Sequence, residues 1–115
     1  MIYQFQRKEN LKVLNEMMIK QIEDYLRKAL TIKYLDIIDE SPNHGGYDGS
    51  ISHLKLIIVS DDFQDQKLLV RHKKVYDALG DLVSKIHAIS LSLKTENEWT
   101  QSNDVKESPP CSKNN

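Results

Sequence analysis

Between Lys33 and Ser60 two stretches of strand-forming residues flank one segment that holds three of the four glycines and one of the three prolines. The first stretch is Lys33-Tyr34-Leu35-Asp36-Ile37-Ile38-Asp39, rich in β-branched and aromatic residues and interrupted by acids. The second runs from Ser52 to Ser60 and contains Leu54-Lys55-Leu56-Ile57-Ile58-Val59, apolar enough for the centre of a sheet. Glu40 to Ser50 lies between them and must be an irregular surface loop. A loop without a crossover helix joins antiparallel strands, because parallel neighbours need a dozen or more residues of crossover. This hairpin restricts the chain to folds with a sheet at their centre.

Helical periodicity brackets the hairpin. In residues 16–30 Met18, Ile22, Tyr25, Leu26 and Ala29 recur at spacings of three and four, with charged residues on the opposite side. Asp61 and Asp62 open a turn, and from Leu68 a second helical pattern uses Leu69, Val70, Val75, Tyr76, Leu79, Leu82 and Val83. Gly80 inside that pattern would cost about 1 kcal/mol relative to alanine. Ile86 to Lys94 then reads as a strand with one wet face, alternating apolar and polar residues from Ala88 or Ile89 onward. Thr95-Glu96-Asn97-Glu98 has the spacing of a capping box and starts a last short helix. The order helix, strand, strand, helix, strand, helix gives an α+β domain, a three-stranded mixed sheet with helices on one face.

The domain is expected over residues 16–99, preceded by a flexible extension over 1–15 and followed by a disordered polar tail over 100–115. At 115 residues no second domain fits. Sixteen basic residues against 17 acidic ones argue against a protein that coats nucleic acid through bulk charge. The single cysteine, Cys111, excludes a disulfide framework and a zinc site built on cysteines alone, and favours a reducing compartment. No apolar run approaches the roughly 20 residues of a membrane helix, so no membrane association is expected. A cytoplasmic location is the default reading. Arg7, Lys8 and Lys12 near the start leave a mitochondrial presequence open, and a nuclear location is compatible as well.

With these elements in order, the run from Leu35 to Trp99 resembles the BolA family. The resemblance is carried by Asp39-Glu40-Ser41 ahead of a loop with Gly and His, by Ser52-His53-Leu54-Lys55-Leu56, and by Ile58-Val59-Ser60 with Phe63. Arg71-His72-Lys73 with Val75-Tyr76 and Leu79, and Ile86-His87-Ala88 with Trp99, complete it. Gln64-Asp65 stands where the family has Glu-Gly, and aspartate tolerates the left-handed turn expected there. Lys73 replaces an arginine, which keeps the charge and loses a bidentate donor. The proline of the family's Thr-Pro before Trp99 is missing.

The resemblance implies a fold related to the class II KH domain. It also implies a non-enzymatic role, as a partner of a monothiol glutaredoxin with which the chain shares a [2Fe–2S] cluster completed by glutathione. Alone, the chain would be a monomer without cofactor. His87 would be a cluster ligand, since imidazole replaces thiolate on one iron of Rieske centres. His44, between Asn43 and Gly45, would be the second. His53 and His72 read as structural on residue chemistry alone. Lys67, Arg71, His72, Lys73 and Lys74 form a basic stretch that a glutaredoxin or DNA would contact, or that is only a solvated helix face. The family's other implied role is transcriptional regulation through nucleic acid. The Gly46-Tyr47-Asp48-Gly49 run sits in a strand–strand loop and carries an acid, the wrong context for a KH-type backbone clamp. No nucleophile elbow, P-loop or dinucleotide fingerprint points to an enzyme.

Overall fold

The computed structural model describes residues 2–43 and 45–102, with side chains from Glu9 onward. The elements are α1 (Ile2–Ala29), β1 (Ile32–Asp39), β2 (His53–Ser60), α2 (Leu68–Leu79), β3 (Ala88–Lys94) and α3 (Glu96–Gln101), with short 3-10 turns at Ser41–Asn43, Asp61–Phe63 and Gly80–Lys85. The sheet order is β1-β2-β3. β1 pairs antiparallel with β2, from Ile32 opposite Ser60 to Asp39 opposite Leu54. β2 pairs parallel with β3, from His53 opposite Ala88 to Val59 opposite Lys94. The mixed α+β sheet expected from the sequence is the one observed, with the apolar 54–59 run at its centre.

The core forms where the inner stripes of α1 and α2 meet one face of the sheet. Ile22, Leu26 and Leu30 of the first helical segment, Leu54, Leu56 and Ile58 of β2, Phe63, Val75, Leu79 and Leu93 are all buried. Strand residues of this face alternate with outward residues Tyr34, Asp36, Lys55, Ser90 and Ser92, as the pleat requires. Tyr25 and Ala29, assigned to the inner stripe of α1 by spacing, are exposed, and Leu30 takes the inner place.

Three further expectations are revised. The helix expected from residue 16 begins at Ile2, so most of the 1–15 extension is helical. No glycine or proline interrupts residues 1–31, and Asn15 Nδ2 donates to the Gly49 carbonyl at 2.8 Å, tying α1 to the hairpin loop. Residues 103–115, most of the tail, lie outside the described residues. In α2 the inner positions are Arg71, Val75 and Leu79, whereas Leu69 is 80% exposed and Val70 and Tyr76 also face outward. Gly80 stands at the end of α2 rather than inside it, with φ +57, where an L side chain is strained.

Arg71 explains the rotation of α2. The residue is 6% exposed, and its Nη1 and Nη2 reach the two Glu98 carboxylate oxygens at 2.7 and 3.1 Å. Nη1 also donates to the Leu93 carbonyl at 3.1 Å, and Nε to the Gln66 carbonyl at 2.9 Å. The cation lies 5.8 Å from the centre of the Phe63 ring. Glu98 meanwhile closes the capping box with Thr95, accepting from the Thr95 N–H at 3.0 Å. One buried cation therefore joins the start of α2, the end of β3 and the cap of α3.

The Arg71 hydrogen bonds, helped by the Thr95 N–H, hold the Glu98 carboxyl down at about 2 from an ordinary 4.5. A carboxylate with a lowered native pKa adds stability that is fully present above its unfolded value and is lost as pH falls through the native one. Stability should thus drop between about pH 4.5 and about pH 2. Glu98→Gln should lower unfolding stability at neutral pH by about 1–3 kcal/mol, less than for a fully buried pair because Glu98 keeps partial water contact. Urea midpoints at pH 7 and pH 3 check both statements, and the variant should show a flatter profile across that window. Gly80→Ala should cost about 1–2 kcal/mol through its positive φ, read in the same titration.

Candidate metal and partner site

The parallel register of β2 and β3 sets His53 opposite Ala88, and so brings His87 beside His53 at one end of the sheet. The two imidazole centroids are 5.3 Å apart, with ring planes at 66°. His87 is exposed and His53 half-buried. Two imidazoles bound to one tetrahedral metal, each through a bond of 2.0–2.1 Å, have centroids roughly 5 Å apart. The observed spacing is therefore compatible with two nitrogen donors converging on one metal.

A local network holds this end of the sheet. The Ser41 hydroxyl accepts from the N–H groups of Ser52 at 2.8 Å and His53 at 3.0 Å. It also donates to the His53 carbonyl at 3.3 Å, and that carbonyl receives the Glu40 N–H at 2.9 Å. Ser41 itself is fully buried, with its N–H bound to Asp39 Oδ1 at 2.9 Å. On the other side the Ala88 N–H donates to the Ser52 carbonyl at 3.0 Å. His53 Nδ1 lies 2.9 Å from Ser52 Oγ, a contact that fixes the ring's rotation. Hydrogen bonds at Glu40, Ser41, Ser52, His53 and Ala88 thus hold the backbone beneath the two rings.

His87, expected as a ligand, is exposed. His53, read as structural from the sequence, is the residue that the fold places next to it. Its nearness to His87 is not visible in the sequence because 34 positions separate the two histidines, and only the parallel pairing of β2 with β3 closes that distance. His44 lies outside the described residues. Among the described residues no cluster of three or more His, Cys, Asp or Glu side chains forms a metal site. Among the described residues the donor set thus amounts to two imidazoles, which fits one edge of a cluster or an open metal site whose other ligands come from elsewhere.

The basic stretch is not one surface. Arg71 is buried in the Glu98 pair and leaves it, which corrects its assignment as a contact residue. Lys73 makes an i,i+4 pair with Asp77 at 3.3 Å, and both are exposed. Lys67 is exposed, and Lys74 and His72 are half-buried. Trp99 stacks on Tyr34, with centroids 5.3 Å apart and planes 22° from parallel, and so fastens α3 to the outer strand β1. Asp65 has φ +63, the left-handed turn expected after Phe63. No described helix is long and apolar enough to cross a membrane.

A sheet of this order, with two helices on one face and a histidine pair at the β2–β3 end, defines a BolA-type domain. The BolA-like protein family model matches residues 26–98, and the chain belongs to that family. It is 41% identical over 98 residues to the DNA-binding transcriptional regulator BolA of Escherichia coli, covering 83% of this chain and 93% of the relative. The solution structure of BolA1 from Mus musculus superposes with a TM-score of 0.69 at 31% identity, over 84% of this chain and 79% of the other. The BolA domain of SufE1 from Arabidopsis thaliana gives a TM-score of 0.61 at 42% identity, over 69% and 92%.

If the two rings converge on a metal, each should matter by itself. Calorimetric titration of the chain with Ni²⁺ should show His53→Ala and His87→Ala each weakening binding by about tenfold or more, while His72→Ala has little effect. Ser41→Ala should cost about 1–2 kcal/mol of stability, because it leaves the Ser52 and His53 N–H groups without their acceptor.

Proposed function

We propose that this protein is a non-enzymatic adaptor that binds a monothiol glutaredoxin and shares with it a [2Fe–2S] cluster, serving iron–sulfur assembly, trafficking or iron regulation in the cytoplasm. The observation that supports this most directly is the exposed His87 imidazole beside His53 on a hydrogen-bonded base. Family membership supports it in kind. His87 would coordinate one iron, with His53 or His44 as the second imidazole. Nitrogen ligation in place of thiolate raises the potential of such a centre. No described residue supplies a thiolate, so the sulfur ligands would come from the glutaredoxin cysteine and glutathione.

The partner's surface would meet the β2–β3 end of the sheet, with Lys67, His72, Lys73 and Lys74 as further contacts along α2. Co-expression with a monothiol glutaredoxin should yield a coloured heterodimer. His87→Ala should lose the colour, or shift its visible absorption and circular dichroism, while the fold is retained. An unchanged spectrum in that variant would remove His87 from the site.

A second reading is favoured by the name of the Escherichia coli relative, a DNA-binding transcriptional regulator. Here the lysines of α2 would contact phosphates. Such binding should weaken steeply with salt through counterion release. With Arg71 withdrawn into its ion pair and Lys73 paired with Asp77, few cations remain for this role, and the adaptor reading is preferred. Fluorescence anisotropy with duplex DNA at low and high salt separates the two, since an adaptor should ignore DNA even at low salt.

A further inference from the structure

Among the described residues neither outer strand of the sheet has a strand on its far side, and the two edges differ. β1 carries Lys33, Asp36 and Asp39, and its register shifts between Ile32 and Tyr34. Charges and irregularities of this kind are the usual protection against unwanted strand addition. Lys33 is moreover held by Glu96 at 2.7 Å and Asp61 at 3.3 Å, which fastens ion pairs along that border. β3 has the sequence Ala88-Ile89-Ser90-Leu91-Ser92-Leu93-Lys94, without a charge before its last residue.

The free groups on this edge follow from the ladder. In a parallel pair, alternate residues turn both N–H and C=O to the same neighbour. Ala88 donates to Ser52 of β2, so Ala88, Ser90 and Ser92 face β2, and Ile89, Leu91 and Leu93 face outward. The Leu93 carbonyl agrees with this phase, because it accepts from Arg71 rather than from a strand. No described residue is bonded to the outward N–H and C=O of Ile89 and Leu91. The side chains of these two residues reach the core from the edge and stay half-buried, whereas Leu56 and Ile58 on the central strand are fully buried. An added strand would cover them.

We propose that this edge is a self-pairing surface, on which two copies of the chain join antiparallel, β3 to β3, about an axis through Ser90. With Ser90 opposite Ser90, Ile89 of one copy stands opposite Leu91 of the other. Each of these pairs exchanges both of its hydrogen bonds, which uses all four outward groups of Ile89 and Leu91 in both copies. The closely spaced, non-hydrogen-bonded positions of an antiparallel pair, with Cα atoms about 4.5 Å apart, fall to Ser90 with Ser90 and Ala88 with Ser92. Small side chains stand where the strands approach most. On the core face Ile89 meets Leu91, which continues the apolar layer across the axis.

The lack of charge selects the occupant. A strand bearing acids or bases would find no complement between Ala88 and Leu93, while a second neutral copy meets no opposition. The pairing would make a continuous six-stranded sheet with both helical layers on one side, and it departs from the monomer expected of the chain alone. The inference does not depend on cluster binding, since Ile89 and Leu91 hold the surface and His87 does not.

Sedimentation velocity over a concentration series should show the full chain dimerising. Ser90→Lys, which sets two lysines on the axis, should weaken dimerisation at least about tenfold while its far-ultraviolet circular dichroism is unchanged. In a Cys111→Ser background, Ser90→Cys oxidised by diamide should cross-link to twice the chain mass. Ser92→Cys should not, because its counterpart is Ala88. A chain that stays monomeric at its highest soluble concentration, a dimer insensitive to Ser90→Lys, or cross-linking through Ser92 in place of Ser90 would overturn the proposal. The two cysteine variants decide the matter should Ser90→Lys fail to fold.

Discussion

A single buried guanidinium holds the parts of this domain in register. A buried charge without partners is costly, and Arg71 is stable inside only because every direction it points offers an oxygen or an aromatic face. Those oxygens belong to the turn before α2, the last residues of β3 and the capping residue of α3. Each of these segments is short and would fray by itself. Bound to one cation, they become a closed ring that sets how α2 lies on the sheet. The same requirement turns Leu69, Val70 and Tyr76 outward, against their hydrophobicity.

The second organising element is polar too. Ser41 stands where the chain leaves β1 and takes the place of a missing strand partner for the first residues of β2. This fixes the start of β2, and the parallel pairing passes that position on to β3. Histidines far apart in the chain thereby become neighbours on a base that does not yield. If the two imidazoles hold a metal as proposed, such rigidity favours binding, since less ordering remains to be done.

The sheet also treats its two borders differently. β1 is marked by charges and a register shift, and Trp99 is stacked against it. β3 is smooth and neutral. Edge strands of small domains are normally blunted, and β3, beside the histidine pair, carries no such device among the described residues.

Much of the molecule was legible in its residues, for physical reasons. The hairpin follows from turn-forming residues between strand-forming ones, and the central place of β2 from its unbroken apolar character. The α3 cap was readable because a capping box is local, and the turn at Asp65 because few residues accept a positive φ. The choice of His87 came from family resemblance and not from any pattern of its own. Periodicity failed where a non-local bond decided the outcome. Apolar spacing could not assign Arg71 to the inner face of α2, because what makes that position tolerable, Glu98 and the Leu93 carbonyl, lies more than 20 residues further on. Nor could it begin α1 at Ile2, where part of the support comes from the loop at Gly49. His53 and His87 meet only through the pairing of two strands separated by a whole helix. Local chemistry wrote the elements and their order into the sequence. Which charged residue is buried, which histidines face each other and which strands form the two edges were decided by tertiary structure, because each depends on groups that come together only when the sheet closes.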